Sequence, residues 1–218
     1  MHIKLKDTVS GLSHLLGAFL AVAGLVVLIV LAVRDATVWH VVSFTIFGVS
    51  MILLYSASAI YHLLPSGQKV TLILRKIDHM MIFILIAGTY TPICLVALRG
   101  SWGWSLFGLI WGLTVAGIML KAFYFRAPRW LSTVIYIAMG WLVVVASVPL
   151  AKSLPSGGLF YLALGGMFYS VGALIYGTKW PPIPSKWFSF HEVFHIFVLL
   201  GSLSHFYLML EYMMKIRL

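Results

Sequence analysis

The chain has 218 residues, of which 62% are hydrophobic and only 9% are charged. A water-soluble domain of this length needs a largely polar surface, and 15 Lys and Arg with 5 Asp and Glu cannot cover one. The composition therefore excludes a soluble protein and predicts one that is embedded in lipid. The single cysteine, Cys94, excludes an intrachain disulfide and a thiolate metal cluster, so any metal would be bound by His and carboxylate groups.

The formal net charge of +10 does not indicate a nucleic-acid partner in this context. The basic residues occur singly or in small groups between apolar runs, a pattern typical of topology signals and of contact with anionic head groups. We therefore expect membrane lipids, and no nucleic acid, as partners.

Seven apolar runs are long enough to cross a bilayer, which takes roughly 20 residues of helix. The connections between them are short, and no stretch is polar enough to form a separate domain. The sequence thus predicts an all-α integral membrane protein in which residues 1–218 form one domain, a bundle of seven transmembrane helices. The predicted spans are 9–33, 38–63, 77–98, 101–120, 131–150, 159–176 and 188–210.

The basic residues divide unequally between the two ends of this bundle, with 10 at one end and 5 at the other. Because Lys and Arg favour the cytoplasmic side, we expect a cytoplasmic N-terminus, a C-terminus outside and a multi-pass location in the plasma (inner) membrane. The ten are Lys4, Lys6, Lys69, Arg75, Lys76, Lys121, Arg126, Arg129, Lys179 and Lys186, and the five are Arg34, Arg99, Lys152, Lys215 and Arg217.

Polar and titratable side chains concentrate at the cytoplasmic ends of three predicted spans. The second span ends with Ser58 and His62, the third begins with Asp78, and the seventh begins with His191 and His195. A spacing of four residues places both members of a pair on one face of a helix. Three imidazoles and a carboxylate from three helices can therefore meet at one depth.

Three neutral imidazoles with an open fourth position are typical of a catalytic zinc site, and helix bundles build such sites between facing helices. We therefore expect Zn²⁺ to be bound by His62, His191 and His195. Asp78 is suited to accept a hydrogen bond from water at the open position, and Ser58 to orient an imidazole or to bind a substrate.

Each of these residues also has a simpler interpretation. Asp78 can cap the start of the third helix or pair with Arg75 or Lys76. His62 can be an interfacial histidine whose polar edge meets water, and Ser58 can bond to a carbonyl one turn back. The convergence of all the polar residues at one depth favours the metal site over these separate explanations.

The segment from His191 to His195 also fits the zinc-protease pattern H-E-x-x-H, in which Glu192 would be the general base. We expect Glu192 instead to be a carboxylate favoured by the start of its helix, and Asp78 to be the base.

Three further histidines are not among the predicted ligands, although His14 lies near the same end of the bundle and could be a further polar contact. His14 is expected to be packed and hydrogen-bonded, and His79 to point about 100° away from Asp78. His205 is expected to donate to a carbonyl, too deep in the membrane to bind the same ion.

Several short motifs together resemble the bacterial hemolysin III proteins, which are similar to the adiponectin and progestin receptor family. The resemblance implies an intramembrane zinc ion bound by His62, His191 and His195, with Asp78 and Ser58 in the same polar cluster. The wider superfamily includes alkaline ceramidases, which implies hydrolysis of a lipid amide, with a lipid amide or fatty acid as the ligand in the bundle. The motifs are Ser58-x-x-x-His62, Asp78-His79, Ala87-Gly-Thr-Tyr-Thr-Pro92, His191-x-x-x-His195 and Gly201-Ser-Leu-Ser-His205-Phe206.

The leading functional hypothesis is a zinc-dependent hydrolase of lipid amide or ester bonds that acts in membrane lipid homeostasis. A second is a non-catalytic membrane sensor or cytolytic protein in which zinc only joins two helices. A third is an intramembrane metalloprotease that uses Glu192.

Overall fold

A computed structural model of the chain describes residues 7–124, 128–183 and 188–217. Within these ranges seven helical spans are long and apolar enough to cross a membrane, which confirms the predicted fold class. Lys4, Lys6, Arg126 and Lys186, which the topology prediction uses, lie outside the described residues. The α-helices are α1 (Thr8–Asp35), α2 (Val38–Leu63), α3 (Gln68–Pro92), α4 (Ser101–Phe123), α5 (Arg129–Trp141), α6 (Ser147–Ser153), α7 (Ser156–Thr178) and α8 (Phe190–Glu211).

The helix that contains the third predicted span begins before that span. α3 starts at Gln68, whereas the predicted span starts at residue 77. The prediction places the start directly after Arg75 and Lys76, because charged residues are unfavourable in the hydrocarbon core. Charged residues do not end a helix, however, so α3 extends past them towards its N-terminus. Asp78 therefore lies in the third turn of α3, and the expected position in the first turn is wrong.

The fifth span is not one continuous α-helix. A 3₁₀ segment at Leu142–Ala146 separates α5 from α6. The Tyr90 hydroxyl of α3 donates to the Met139 carbonyl at 2.8 Å and accepts from the Val143 amide at 2.7 Å. Because unpaired backbone groups are costly in a membrane interior, this side chain stabilises the break and ties the fifth span to α3.

The start of α1 approaches the end of α2 closely. A methyl group added at Gly11 would overlap the Leu63 side chain, so a larger residue here would require Leu63 to move. The Asp7 amide donates to the His62 carbonyl at 3.0 Å and joins the two helix ends. This contact brings the first turns of α1 to the polar cluster.

Candidate metal centre

Three imidazoles meet where the last turn of α2 faces the first two turns of α8. His62 Nε2 and His191 Nε2 lie 3.2 Å apart, and the ring of His195 is centred 5.0 Å from His62 and 4.6 Å from His191. One ligand nitrogen of each residue lies within 4.8 Å of the other two. His62 and His195 are buried, and His191 is half-buried. These three nearby histidines can form a metal site.

Three imidazole nitrogens are a donor set that zinc accepts, and the separation of one pair matches tetrahedral zinc. Zinc–nitrogen bonds of about 2.0–2.1 Å in a tetrahedral site place neighbouring ligand nitrogens about 3.3 Å apart, close to the separation of His62 and His191. His62 Nδ1 lies 3.2 Å from Asp7 Oδ2, and His195 Nδ1 lies 3.2 Å from the Ser10 carbonyl oxygen. Both partners are acceptors, so each Nδ1 carries the proton and each Nε2 keeps its lone pair for a ligand.

Asp7 and Ser10 are contacts that the sequence predictions missed. One feature of the sequence could have indicated Asp7: it is one of only five Asp and Glu residues, and it lies just before the first predicted span, on the same predicted side of the membrane as the histidines.

His14, one turn after Ser10, stacks on His195 with ring centroids 3.7 Å apart. Among the described residues neither ring nitrogen of His14 has a hydrogen-bond partner, so the expected packing is confirmed and the expected hydrogen bond is wrong.

A cavity of about 130 Å³ adjoins the cluster, and His191, His195, Asp78 and Ser58 all line it. The buried Asp78 cannot cap α3, because it lies ten residues after Gln68, so that simpler interpretation is wrong. The structure thus brings the five predicted site residues to one region, three as facing imidazoles and two on the cavity wall.

His79 does not join the three imidazoles, yet it lines the same cavity, so its expected separation from the site is only partly right. Its Nδ1 lies 3.3 Å from Asp78 Oδ2 and 2.8 Å from the Arg75 carbonyl oxygen. Its Nε2 lies 3.0 Å from the Tyr176 hydroxyl. These contacts fix the ring between α3 and α7 and place a nitrogen beside the carboxylate.

The rest of the cavity wall is mainly apolar, with side chains from α3, α5, α7 and α8. Such a wall suits a hydrocarbon chain. The apolar and aromatic lining includes Ile82, Leu85, Ile86, Tyr136, Ile137, Phe194 and Val198.

Residues 2–206 match the family model described as Haemolysin-III related. The chain is 41% identical to the hemolysin-3 homolog of Bacillus subtilis (strain 168), over 97% of the chain and 96% of that protein. It is also 41% identical to hemolysin-3 of Bacillus cereus, over 96% and 92%. The chain belongs to the haemolysin-III related family. A human relative, monocyte to macrophage differentiation factor, is 23% identical over 91% of the chain and 82% of its own length, and it links the family to the adiponectin and progestin receptors.

In this haemolysin-III related protein, both carboxylate oxygens of Glu192 are bound to serines. Oε2 accepts from the Ser189 amide at 2.7 Å and from its hydroxyl at 2.6 Å, completing a capping box at the start of α8. Oε1 accepts from the Ser10 hydroxyl at 2.6 Å. The position fits the expected helix-start carboxylate, because these contacts hold Glu192 at the helix end.

His205 lies apart from the three imidazoles. Its Nε2 is 3.2 Å from the Leu162 carbonyl oxygen, as expected for a histidine that donates to a carbonyl. His205 also borders the cavity, further along α8 than His195.

Proposed function

We propose that this protein is a zinc-dependent membrane hydrolase that cleaves lipid amide or ester bonds and acts in membrane lipid homeostasis. One observation carries the proposal: a cluster of facing imidazoles adjoins a mainly apolar cavity inside a membrane bundle, and a buried carboxylate and a serine line the same cavity. A purely structural metal site would need no such cavity beside its ligands.

His62, His191 and His195 would hold the ion through Nε2. A bound zinc ion would act there as a Lewis acid, activating water and polarising a carbonyl group. Asp78 accepts a proton from the attacking water and returns it to the leaving nitrogen or oxygen as the C–N or C–O bond breaks. Ser58 donates a hydrogen bond to a polar group of the substrate, and His79 orients Asp78.

The substrate class follows from the cavity wall. Its aliphatic and aromatic side chains accept an acyl chain, while Ser58, Asp78 and the histidines beside them receive the amide or ester. A site inside a membrane bundle suits substrates that reside in the bilayer, so a lipid amide or ester is the proposed substrate and a fatty acid the proposed product.

The distribution of basic residues supports a plasma-membrane orientation with the metal centre on the cytoplasmic side. We expect cysteines introduced at Gln68 and Pro181 to react with an impermeant reagent from the cytoplasm, and one at Ser156 to react from outside. Cys94 is buried, so the natural thiol should add little background. The reversed labelling pattern would contradict the orientation.

The hydrolase is tested with purified protein, its metal-stripped form and the form restored with zinc. The substrates are ceramides, glycerolipid esters and a transmembrane peptide. We expect zinc-dependent release of fatty acid from a ceramide or an ester. Cleavage of the peptide alone would favour the protease that uses Glu192. Zinc binding without turnover on any substrate would contradict the hydrolase and favour a sensor or cytolytic protein with structural zinc.

A further inference from the structure

The first turn of α1 contacts two of the three candidate ligands on the side away from the cluster. Asp7 Oδ2 lies 3.2 Å from His62 Nδ1, and the Ser10 carbonyl oxygen lies 3.2 Å from His195 Nδ1. One segment of four residues therefore supports a ligand on α2 and a ligand on α8. In both cases the hydrogen-bond acceptor lies outside the helix that carries the histidine.

The Ser10 side chain strengthens this arrangement. Its hydroxyl donates to Glu192 Oε1 at 2.6 Å, and the other oxygen of Glu192 completes the capping box of α8. The start of α8, which carries His191 and His195, is thereby tied to α1 by a side chain as well as by a carbonyl group.

A carboxylate at this distance acts on a histidine ligand in three ways. It fixes the proton on Nδ1, it restricts rotation of the ring, and it makes Nε2 a better electron donor to a cation. A backbone carbonyl does the first two more weakly because it carries no charge. Asp7 is thus the stronger of the two supports from α1.

We propose that Asp7 is a positioning residue of the metal centre and that, acting through His62, it sets how tightly the ion is retained. This inference rests on the metal binding of the proposed function. The Asp7 side chain is 45% exposed while that of His62 is 3% exposed, so the support reaches a buried ligand from the surface of the protein. The carboxylate makes no hydrogen bond that caps α1, which separates its contact with His62 from a role in helix capping.

The test compares Asp7→Asn, Asp7→Ala and Asp7→Glu with the wild type. Asparagine keeps the size of the side chain and the preference for a helix start, but it removes the charge. Asp35→Asn is the matched control, because Asp35 ends the same helix and pairs with exposed Arg34. The measurements are the zinc dissociation constant by competition with a chelator, the Tm of the metal-free protein, and the visible spectrum of the cobalt-substituted protein.

We expect Asp7→Ala to weaken zinc binding by about 10–100-fold and to change the cobalt spectrum. Asp7→Asn should weaken binding less, and Asp7→Glu should restore part of the affinity. Asp35→Asn should leave the affinity unchanged, and each Asp7 variant should lose more thermal stability in its zinc-loaded form than in its metal-free form, where only the hydrogen bond to His62 is lost.

Unchanged zinc affinity in all Asp7 variants, with a wild type that binds zinc, would overturn the role of Asp7 and leave the proposed function intact. A loss of stability in the metal-free protein as large as that in the zinc-loaded protein would also overturn it, since Asp7 would then support the fold and not the ligand. A wild type that binds no zinc would overturn both proposals.

Discussion

The two ends of α2 each bury a histidine, but the partners of these histidines differ. At one end, His40 Nε2 lies 3.1 Å from the Met213 carbonyl oxygen, and its Nδ1 lies 2.9 Å from the Thr37 hydroxyl. At the other end, His62 Nε2 lies 3.2 Å from His191 Nε2. Burial alone therefore does not indicate a metal ligand. A ring whose nitrogens both face a hydroxyl or carbonyl group, as in His40, has no free ligand atom, whereas facing imidazole nitrogens can share a cation.

The largest expected effect of this difference is on metal content. Replacing His195 by Ala removes a ligand, so the purified variant should lose its zinc and the stability that zinc confers. His40→Ala is the control at the opposite end of the bundle and should keep about one zinc per chain. Elemental analysis with thermal unfolding measures both quantities. Equal zinc loss in the two variants would remove the distinction between the two ends.

A second expected effect separates the two carboxylates near the cluster. Asp78 lines the cavity, whereas the oxygens of Glu192 are bound to Ser10 and Ser189. Asp78→Asn should therefore keep most of the zinc and reduce turnover by roughly 100-fold or more, the usual scale for loss of a general base. Glu192→Gln should reduce turnover far less.

Both variants are compared for zinc content and product release on the same lipid substrate. Normal turnover in Asp78→Asn together with abolished cleavage in Glu192→Gln would contradict the lipid hydrolase and favour the protease.

The smallest expected effect concerns histidines bound to carbonyl groups. His205→Ala leaves the Leu162 carbonyl without its donor, which should lower the free energy of unfolding by about 1–3 kcal/mol. The loss should be the same with and without zinc, because His205 does not belong to the cluster. Denaturant unfolding of both forms measures it. A loss that appears only in the zinc-loaded protein would show that His205 acts on the metal centre.

The fold and the imidazole pairs could be predicted because both are local properties of the sequence. Hydropathy over about 20 residues records whether a helix can span a bilayer. The spacing of His191 and His195 places both on one face of whichever helix contains them. The start of α3 at Gln68 was missed because a hydropathy window stops at Arg75 and Lys76, although the helix extends through them.

The groups that support the ligands could not be predicted in the same way. Asp7 and His62 are 55 residues apart, and Ser10 and His195 are 185 residues apart. Their contacts depend on how closely α1 packs against α2 and α8. Gly11, which has no side chain, allows the close approach of α1 to α2. The spacing of residues along one helix does not predict the distance between that helix and another.

The hydrolase and the role of Asp7 both depend on one zinc ion bound by His62, His191 and His195. X-ray absorption spectroscopy of the purified protein tests this binding most directly, because the zinc edge reports the kind and number of the bound atoms. We predict about one zinc per chain with imidazole nitrogens at about 2.0–2.1 Å, a signal that persists in His205→Ala and is lost in His195→Ala. A protein without zinc, or a spectrum that is unchanged by His195→Ala, would contradict the claim.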